Sequence, residues 1–506
     1  MKRVRDLAVA AALFVVVAMM VVAATETSPS CPGIAYPPPP TGTAARGAPN
    51  VVLILSDDQR FDSMDSMPGV QTLLGGHGVT FPNAYVTTPV CCPSRTSILT
   101  GQYSRHTGVY ENFGQHGGAP AFDDGSTLAT WLHSSGYHTA LIGKYLNNYE
   151  ALPACYIPPG WDTWDAIVGE AADHYYNATI TQNGREVTYG AGPSDYQTTV
   201  LTGLATDWIA NTPDPFFLYF APSSPHRPAI AAPDDVGVYA GIQPFRPPAF
   251  NEPDTSDKPW DGRVVPLTAP DIGVADHMNE HQREALISLD EGVAKIVDAL
   301  KQRGVLDDTI IIYTSDNGWM LGEHRLLSKT WPYEESIRVP MVWRLPWADQ
   351  ARSNPAQVLN IDLAPTIAEL AGAEPGPLDG TSLVPLLEWD PATWDPSSGS
   401  APTAGRSGFV VEWLGADLTG VEGPPPYEGV HTQRYVYVEY ANGWRELYDL
   451  QTDPDQLDNL ASKAAHAELQ TKLAARLKEL LAEQPHSVPA PLPAVPPDAT
   501  PPAALP

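Results

Sequence analysis

The sequence predicts an α/β fold: a large mixed, mostly parallel sheet flanked by helices, with a smaller C-terminal α+β subdomain carrying an antiparallel sheet. Three observations predict it. Apolar runs at 50–59 (NVVLILSDDQ), 138–146, 216–220 and 309–314 show no polar alternation, the pattern of strands buried on both faces. Stretches with helical periodicity, at 126–135, 196–211 and 281–300, stand between those runs. Shorter strand-like runs at 409–413, 434–440 and 445–449 then gather near the end, before a helix at 461–483.

Each element has a local reason. The first run ends in two carboxylates, Asp57 and Asp58, which breaks its apolar character. The second ends in Lys144, the third leads into a loop carrying His226, and the fourth ends in Asp316 and Asn317. A short strand follows at 341–344, and Asp362 and Pro365 introduce a helix within 360–372. Residues 151–190 are aromatic and Gly-rich and read as a long loop or a small hairpin insertion. Residues 231–275, rich in Pro and Asp, read as loop.

The length of 506 residues suits two or more domains. The expected divisions are a leader at 1–24, a linker at 25–48, a principal domain at 49–389, a C-terminal subdomain at 390–484 and a disordered Pro/Ala-rich tail at 485–506. Residues 390–407 read as the boundary loop, and no internal repeat is apparent. Lys2, Arg3 and Arg5 precede an apolar run ending in Val22-Ala23-Ala24, as in a cleaved signal peptide. Export to the cell envelope or medium follows. The alternative is an uncleaved N-terminal anchor, the sole membrane attachment expected. A formal net charge of -30 excludes nucleic acid and anionic membrane surfaces as partners. An anionic substrate would need cations gathered locally. Four cysteines make no disulfide framework: Cys91 and Cys92 are adjacent, and Cys31 and Cys155 are open to pairing or to staying free.

The segment at 91–101, CCPSRTSILTG, carries the chemistry. Pro93 suits a first helical turn and Gly101 a helix stop. A helix N-terminus favours an anion, and a cysteine there with Arg95 one turn on is a candidate reactive centre; the alternative is a buried cysteine pair. In a parallel sheet, ligands bind beyond the carboxyl ends of the strands, where Asp57, Asp58, Lys144, His226, Asp316 and Asn317 all fall. Singly, these residues are equally well read as caps, turn formers or solvated side chains. Together, three carboxylates and an amide oxygen make a hard-oxygen set for Ca²⁺ or Mg²⁺ and argue against Zn²⁺ or copper.

The segment CCPSRTSILTG resembles the signature Cys-x-Pro-Ser-Arg-x-x-x-Leu-Thr-Gly of the formylglycine-dependent (type I) sulfatases, complete at every fixed position. The resemblance continues in family order through DDQ, GKY, PHRP, SDNG, LLSKTWPYEESIRVP and ELYDLQTDPDQLDNLA, over roughly residues 50 to 484. It implies an alkaline-phosphatase-like fold, with 49–389 as the catalytic domain. It also implies oxidation of Cys91 to formylglycine (3-oxoalanine) by a formylglycine-generating enzyme during export. One hydroxyl of the aldehyde hydrate would attack sulfur and displace the alcohol. Deprotonation of the other would eliminate sulfate. By the same resemblance Asp57, Asp58, Asp316, Asn317 and the modified Cys91 would hold one Ca²⁺, with Mg²⁺ as the alternative. Arg95 would hold the formylglycine, Lys144 and Lys329 would neutralise sulfate oxygens, and Lys329 or His226 would protonate the leaving alcohol.

One departure stands out. Many arylsulfatases have a histidine two residues after the GK lysine, where this chain has Leu146 followed by Asn147. His324 is a candidate substitute, with a packed or surface histidine as the alternative. The motifs CCPSRTSILTGQY, GKYLNNY and TDPDQ look most like N-acetylglucosamine-6-sulfatases, which implies a 6-O-sulfated N-acetylglucosamine or related sulfated glycan as substrate. Trp161, Trp164, Tyr175 and Trp319 offer faces for sugar stacking or, equally, for core packing. The rival readings are an arylsulfatase or choline-type sulfatase, a phosphomonoesterase or phosphodiesterase of the same superfamily, and an inactive carbohydrate-binding relative.

Overall fold

The computed structural model describes residues 40–169, 175–260, 264–389, 405–415 and 423–486. The leader expected at 1–24, residues 25–39 of the expected linker, 390–404 of the boundary loop and 487–506 of the tail lie outside the described residues.

Ten strands form the principal sheet: β1 (Asn50–Ser56), β2 (Gly78–Thr80), β3 (His138–Gly143), β4 (Thr163–Val168), β5 (Thr179–Gln182), β6 (Arg185–Thr188), β7 (Phe216–Ala221), β8 (Thr309–Ser315), β9 (Met341–Arg344) and β10 (Arg352–Ser353). Their order is β10-β2-β9-β8-β1-β7-β3-β4-β5-β6. The central run β8-β1-β7-β3-β4 is parallel throughout. Antiparallel partners flank it, β9 beside β8 on one side and β5 beside β4 on the other. The four apolar runs are therefore neighbours in the centre of the sheet, and their carboxyl ends share one edge.

Every residue of β1 is buried, and its side chains feed two layers in alternation. Val51, Leu53 and Leu55 join one core, and Val52 and Ile54 the other. Helices α1 (Cys91–Thr100) and α2 (Leu128–Ser134) pack into the first core through Ile98, Leu99, Leu128 and Leu132. Helices α3 (Gln197–Asn211) and α4 (Ala269–Arg303) pack into the second through Leu201, Leu286, Leu289 and Val293. A fifth helix, α5 (Leu363–Ala371), returns to the first core with Ile367. Covering both faces is what makes the uninterrupted apolar runs stable as strands.

A separate antiparallel sheet follows in chain order: β11 (Phe409–Trp413), β12 (Tyr427–His431), β13 (Tyr435–Tyr440) and β14 (Arg445–Asp449). Helix α6 (Ala467–Ala482) buries Leu473, Leu477 and Leu480, the i, i+4, i+7 stripe of one helical face. The fold class expected from the sequence is thus the one observed.

Three segments differ from expectation. Within 151–190 there is indeed a hairpin, β5–β6, but also a full parallel strand, β4, whose polar Asp165 interrupts the apolar signal. Helix α4 begins at Ala269 rather than near His281, started by Pro270 and by Asp271, whose carboxylate accepts the Thr268 N–H at 2.8 Å. Strand β12 went unread because Glu428 and Gly429 break its apolar run.

Candidate active site

The sheet register aligns the two acidic strand ends. Ser56 pairs with Ser315, so Asp57 and Asp316, one residue further, stand side by side. Gly143 pairs with Ala221, which brings Lys144 to the same level as the start of the His226 loop. Backbone bonds hold these ends: Asp57 N–H donates to Ser224 O (3.1 Å), Asp316 N–H to Ser56 O (3.2 Å) and Lys144 N–H to Ala221 O (2.7 Å). Asp58 takes a left-handed conformation (φ 64°), which turns its N–H onto Asp316 Oδ1 at 3.1 Å.

Helix α1 points its N-terminus at this edge. Val90 offers no side-chain cap, and the Cys92 N–H is satisfied instead by Asn112 Oδ1 at 2.9 Å. Gly101 ends the helix in the left-handed region (φ 68°). Cys91, fully buried, has its Sγ 2.7 Å from Lys329 Nζ and 3.6 Å from Asp57 Oδ1. Lys329 also pairs with Asp58 Oδ1, and Lys144 Nζ lies 2.5 Å from Asp57 Oδ2. The wholly buried Arg95 guanidinium spans the site. Its Nε donates to Asp316 Oδ2 (2.7 Å), its Nη1 to Lys144 O (3.0 Å), and its Nη2 lies 3.6 Å from Asp57 Oδ2. Asn317 Nδ2 donates to Asp58 Oδ1 at 2.6 Å. His226 Nδ1 donates to the Arg227 carbonyl at 2.6 Å, which leaves Nε2 facing Asp58 Oδ2 at 3.4 Å. Asp57, Asp58, Cys91, Arg95, Lys144, His226, Asp316, Asn317 and Lys329, singled out from the sequence, all lie in this one constellation.

The charges interlock. Burial opposes ionisation of Asp57, but Lys144, His226, Arg95 and Lys329 outweigh it and hold the carboxyl well below its usual range. Burial and the nearby Asp57 push Asp316 up to about 6 against the pull of Arg95. Burial would also lower Lys329, yet Asp58 and its neighbours keep the ammonium protonated. Burial lowers His226 despite Asp58 and Asp57. The Cys91 thiol is pushed up to about 12 by burial, only partly offset by the two lysines. That shift disfavours a sulfur nucleophile of the ordinary kind.

The donor set fits a divalent cation. One ligand atom each from Asp57, Asp58, Cys91 and His226 lie within 4.8 Å of one another. Two buried oxygens, Asp58 Oδ2 and Asn317 Oδ1, have no hydrogen-bond partner, as oxygens reserved for an ion would. Asp316 is the member turned partly away, with its two oxygens on Asp58 N–H and Arg95.

Sequence reasoning missed the supports. Arg60, 4 % exposed, chelates Asp62 through Nε and Nη2 (2.9 and 2.7 Å) and places Nη1 2.9 Å from Glu323. The same Nη1 donates to the Trp319 carbonyl at 2.8 Å, fixing the residue against which Lys329 rests. The C-terminal sheet braces the Lys329 segment: Tyr427 OH donates to Thr330 O (3.0 Å), and Tyr333 OH to the buried Glu446 (2.6 Å). These contacts span up to 259 residues along the chain, and no local pattern announces them.

Other candidates serve the core. Trp161 and Trp164 are buried beside Phe217 and Tyr149, and Tyr175 is buried with its OH donating to His226 O at 2.7 Å. Of the aromatic residues named from the sequence, Trp319 is the one that borders Lys329. His324 stacks on Tyr333 (4.2 Å between ring centres) with Nδ1 on Glu252 (2.7 Å), a packed histidine within a buried aromatic cluster. Cys155 is disulfide-bonded, whereas Cys91 and Cys92 are free.

Residues 49–373 match the sulfatase family, and residues 417–483 match the C-terminal region of N-sulphoglucosamine sulphohydrolase. The chain is 33% identical to N-acetylglucosamine-6-sulfatase of Homo sapiens over 478 residues, covering 85% of this chain and 84% of the human protein. It is 34% identical to the extracellular sulfatase SULF-1 homolog of Drosophila melanogaster over 364 residues, covering 69% of this chain. It spans only 32% of that relative's length. Among solved structures, a protein in complex with its substrate D-glucosamine-2-N,6-O-disulfate superposes with a TM-score of 0.70 at 25% identity, covering 85% of this chain and 97% of the other.

Proposed function

The chain belongs to the sulfatase family, and from that premise we propose that it hydrolyses sulfate esters through a formylglycine formed at Cys91. The substrate we propose is a 6-O-sulfated N-acetylglucosamine or a related sulfated glycan. The observation that carries the reading is the setting of Cys91. Its side chain sits buried at a helix N-terminus, 2.7 Å from Lys329 Nζ and beside Asp57.

Oxidised by a formylglycine-generating enzyme, this side chain supplies an oxygen nucleophile and a route for expelling sulfate by elimination. A Ca²⁺ ion, with Mg²⁺ as the alternative, supplies positive charge for the nucleophile and for the sulfate oxygens. Asp57, Asp58, Asp316 and Asn317 would hold it. The chain's own groups do the rest. Arg95, locked between Asp316 and the Lys144 carbonyl, fixes the first turn of α1 and so the position of residue 91. Lys144 and Lys329 are placed to neutralise sulfate oxygens as charge builds on them. Lys329 is held as an ammonium, and it, or His226 when its Nε2 is also protonated, would deliver a proton to the departing alcohol.

The glycan reading is supported by the likeness to the human N-acetylglucosamine-6-sulfatase over most of both chains and by the neighbour bound to a 6-O-sulfated glucosamine. Export is supported by the leader-like residues 1–24 and by extracellular relatives. No helix among the described residues is long and apolar enough to cross a membrane.

Sulfate release from N-acetylglucosamine 6-sulfate, 4-nitrophenyl sulfate and choline sulfate tests the reading. The sugar is expected to be cleaved, and Cys91→Ala is expected to lose at least about 10³-fold in kcat. Cleavage of the aryl or choline ester alone would overturn the glycan assignment. Cleavage of phosphate monoesters alone would overturn the sulfatase assignment.

A further inference from the structure

We propose that Arg227 and Trp319 form an anion subsite at the mouth of the site, which recognises a second sulfate or carboxylate on the sulfated sugar or on its neighbour. The inference rests on the sulfatase reading above and narrows it to polyanionic glycans. Arg227 directly follows His226, whose Nδ1 holds the Arg227 carbonyl at 2.6 Å, so the two side chains share one anchored turn. The guanidinium lies over the Trp319 indole, 5.5 Å from its centre, and Lys329 Nζ lies 5.9 Å from the same ring. One indole thus carries two cations, one buried beside Cys91 and one exposed.

The two cations differ in how they are used. Lys329, like Lys144 and Arg95, is buried and compensated by an aspartate. Arg227 is exposed, and among the described residues it is paired with no carboxylate. In a chain of net charge -30, an uncompensated guanidinium beside the site is a local exception to a repulsive field. Its platform is rigid. Trp319 is 5 % exposed and pinned through its carbonyl by Arg60, which Asp62 and Glu323 lock in turn. A guanidinium is a planar fork of N–H donors, which suits the paired oxygens of a sulfate or carboxylate, and here its Cζ lies 5.5 Å from the centre of the indole. A neutral aryl group or a monosulfated sugar gives it no charge to meet.

The test compares kcat/KM for D-glucosamine-2-N,6-O-disulfate and N-acetylglucosamine 6-sulfate in the full-length protein, Arg227→Ala and Arg227→Lys. The ratio of the two is expected to fall at least about ten-fold in Arg227→Ala, through KM rather than kcat, with part of it restored in Arg227→Lys. An unchanged ratio, or an equal loss of kcat on both sugars, would overturn the subsite. Equilibrium binding of the disulfated sugar to Cys91→Ala, with and without Arg227→Ala, separates this inference from its premise. Arg227-dependent binding without turnover of any sulfate ester would leave the subsite standing and remove the sulfatase reading. Turnover of both sugars with Arg227-independent binding would do the reverse.

Discussion

Arg95 shows most plainly how single residues build this site. It has no exposed surface, and its charge is balanced by Asp316 at 2.7 Å and Asp57 at 3.6 Å. Deleting one member of a buried, hydrogen-bonded ion group leaves the others uncompensated, at a cost of roughly 3–5 kcal/mol. Arg95→Ala is therefore expected to lower unfolding free energy by about that amount in a denaturant titration. Arg95→Lys should recover only a part, since an ammonium cannot reproduce the fork that reaches both Asp316 and the Lys144 carbonyl. At this scale the sequence was informative. Asp57, Asp58, Asp316 and Asn317 announced themselves as polar ends of apolar runs, and Cys91 and Arg95 as parts of a tight motif. What the sequence withheld was the other end of each contact. Asn112 capping α1 and Arg60 holding Trp319 act across distance in the chain, and neither has a spacing to recognise.

At the scale of elements, β4 is instructive because it hides an acid. Asp165 lies in a strand paired on both sides and is 8 % exposed. Burial pushes its carboxyl up to about 7. An acid whose folded pKa exceeds its unfolded value of about 3.9 binds its proton more tightly when folded, so stability falls as pH rises from about 4 to 7. Asp165→Asn is expected to match the parent near pH 4 and to exceed it above pH 7, by up to about 4 kcal/mol. Denaturant titrations at the two pH values check this; equal differences at both would contradict it. The same residue explains why β4 was read as loop or hairpin: one buried polar group is enough to break an apolar run. The central strands β1, β3, β7 and β8 were legible because both their faces are covered, which leaves no polar alternation to confuse with a loop. Strand β12 was not, since Glu428 and Gly429 interrupt its apolar character.

At the scale of the molecule, the two sheets and the global charge act together. The C-terminal sheet supports the Lys329 segment through Tyr427, Glu446 and His431, the last of which sits 2.7 Å from Glu334. Its place at the site came from packing rather than from any motif. The field of a -30 molecule repels a polyanion at long range, while the cations of the site attract it at contact. The Debye length falls from about 30 Å at 0.01 M to about 8 Å at 0.15 M ionic strength, which screens the long-range repulsion first. For a sulfated oligosaccharide, kcat/KM is therefore expected to rise several-fold across that range, and to change less for 4-nitrophenyl sulfate. Initial rates at graded NaCl concentrations measure it, and a monotonic fall would contradict the picture.

The central claim is that Cys91 works through oxygen. Burial pushes its thiol up to about 12 beside Lys329 and Asp57, which disfavours a thiolate nucleophile. Peptide mass spectrometry of the segment containing residues 91–95, taken from protein produced in its own host, reads the side chain directly. The expected result is an aldehyde in place of the thiol at residue 91, with Cys92 unmodified. An intact thiol at Cys91 in protein that releases sulfate would contradict it.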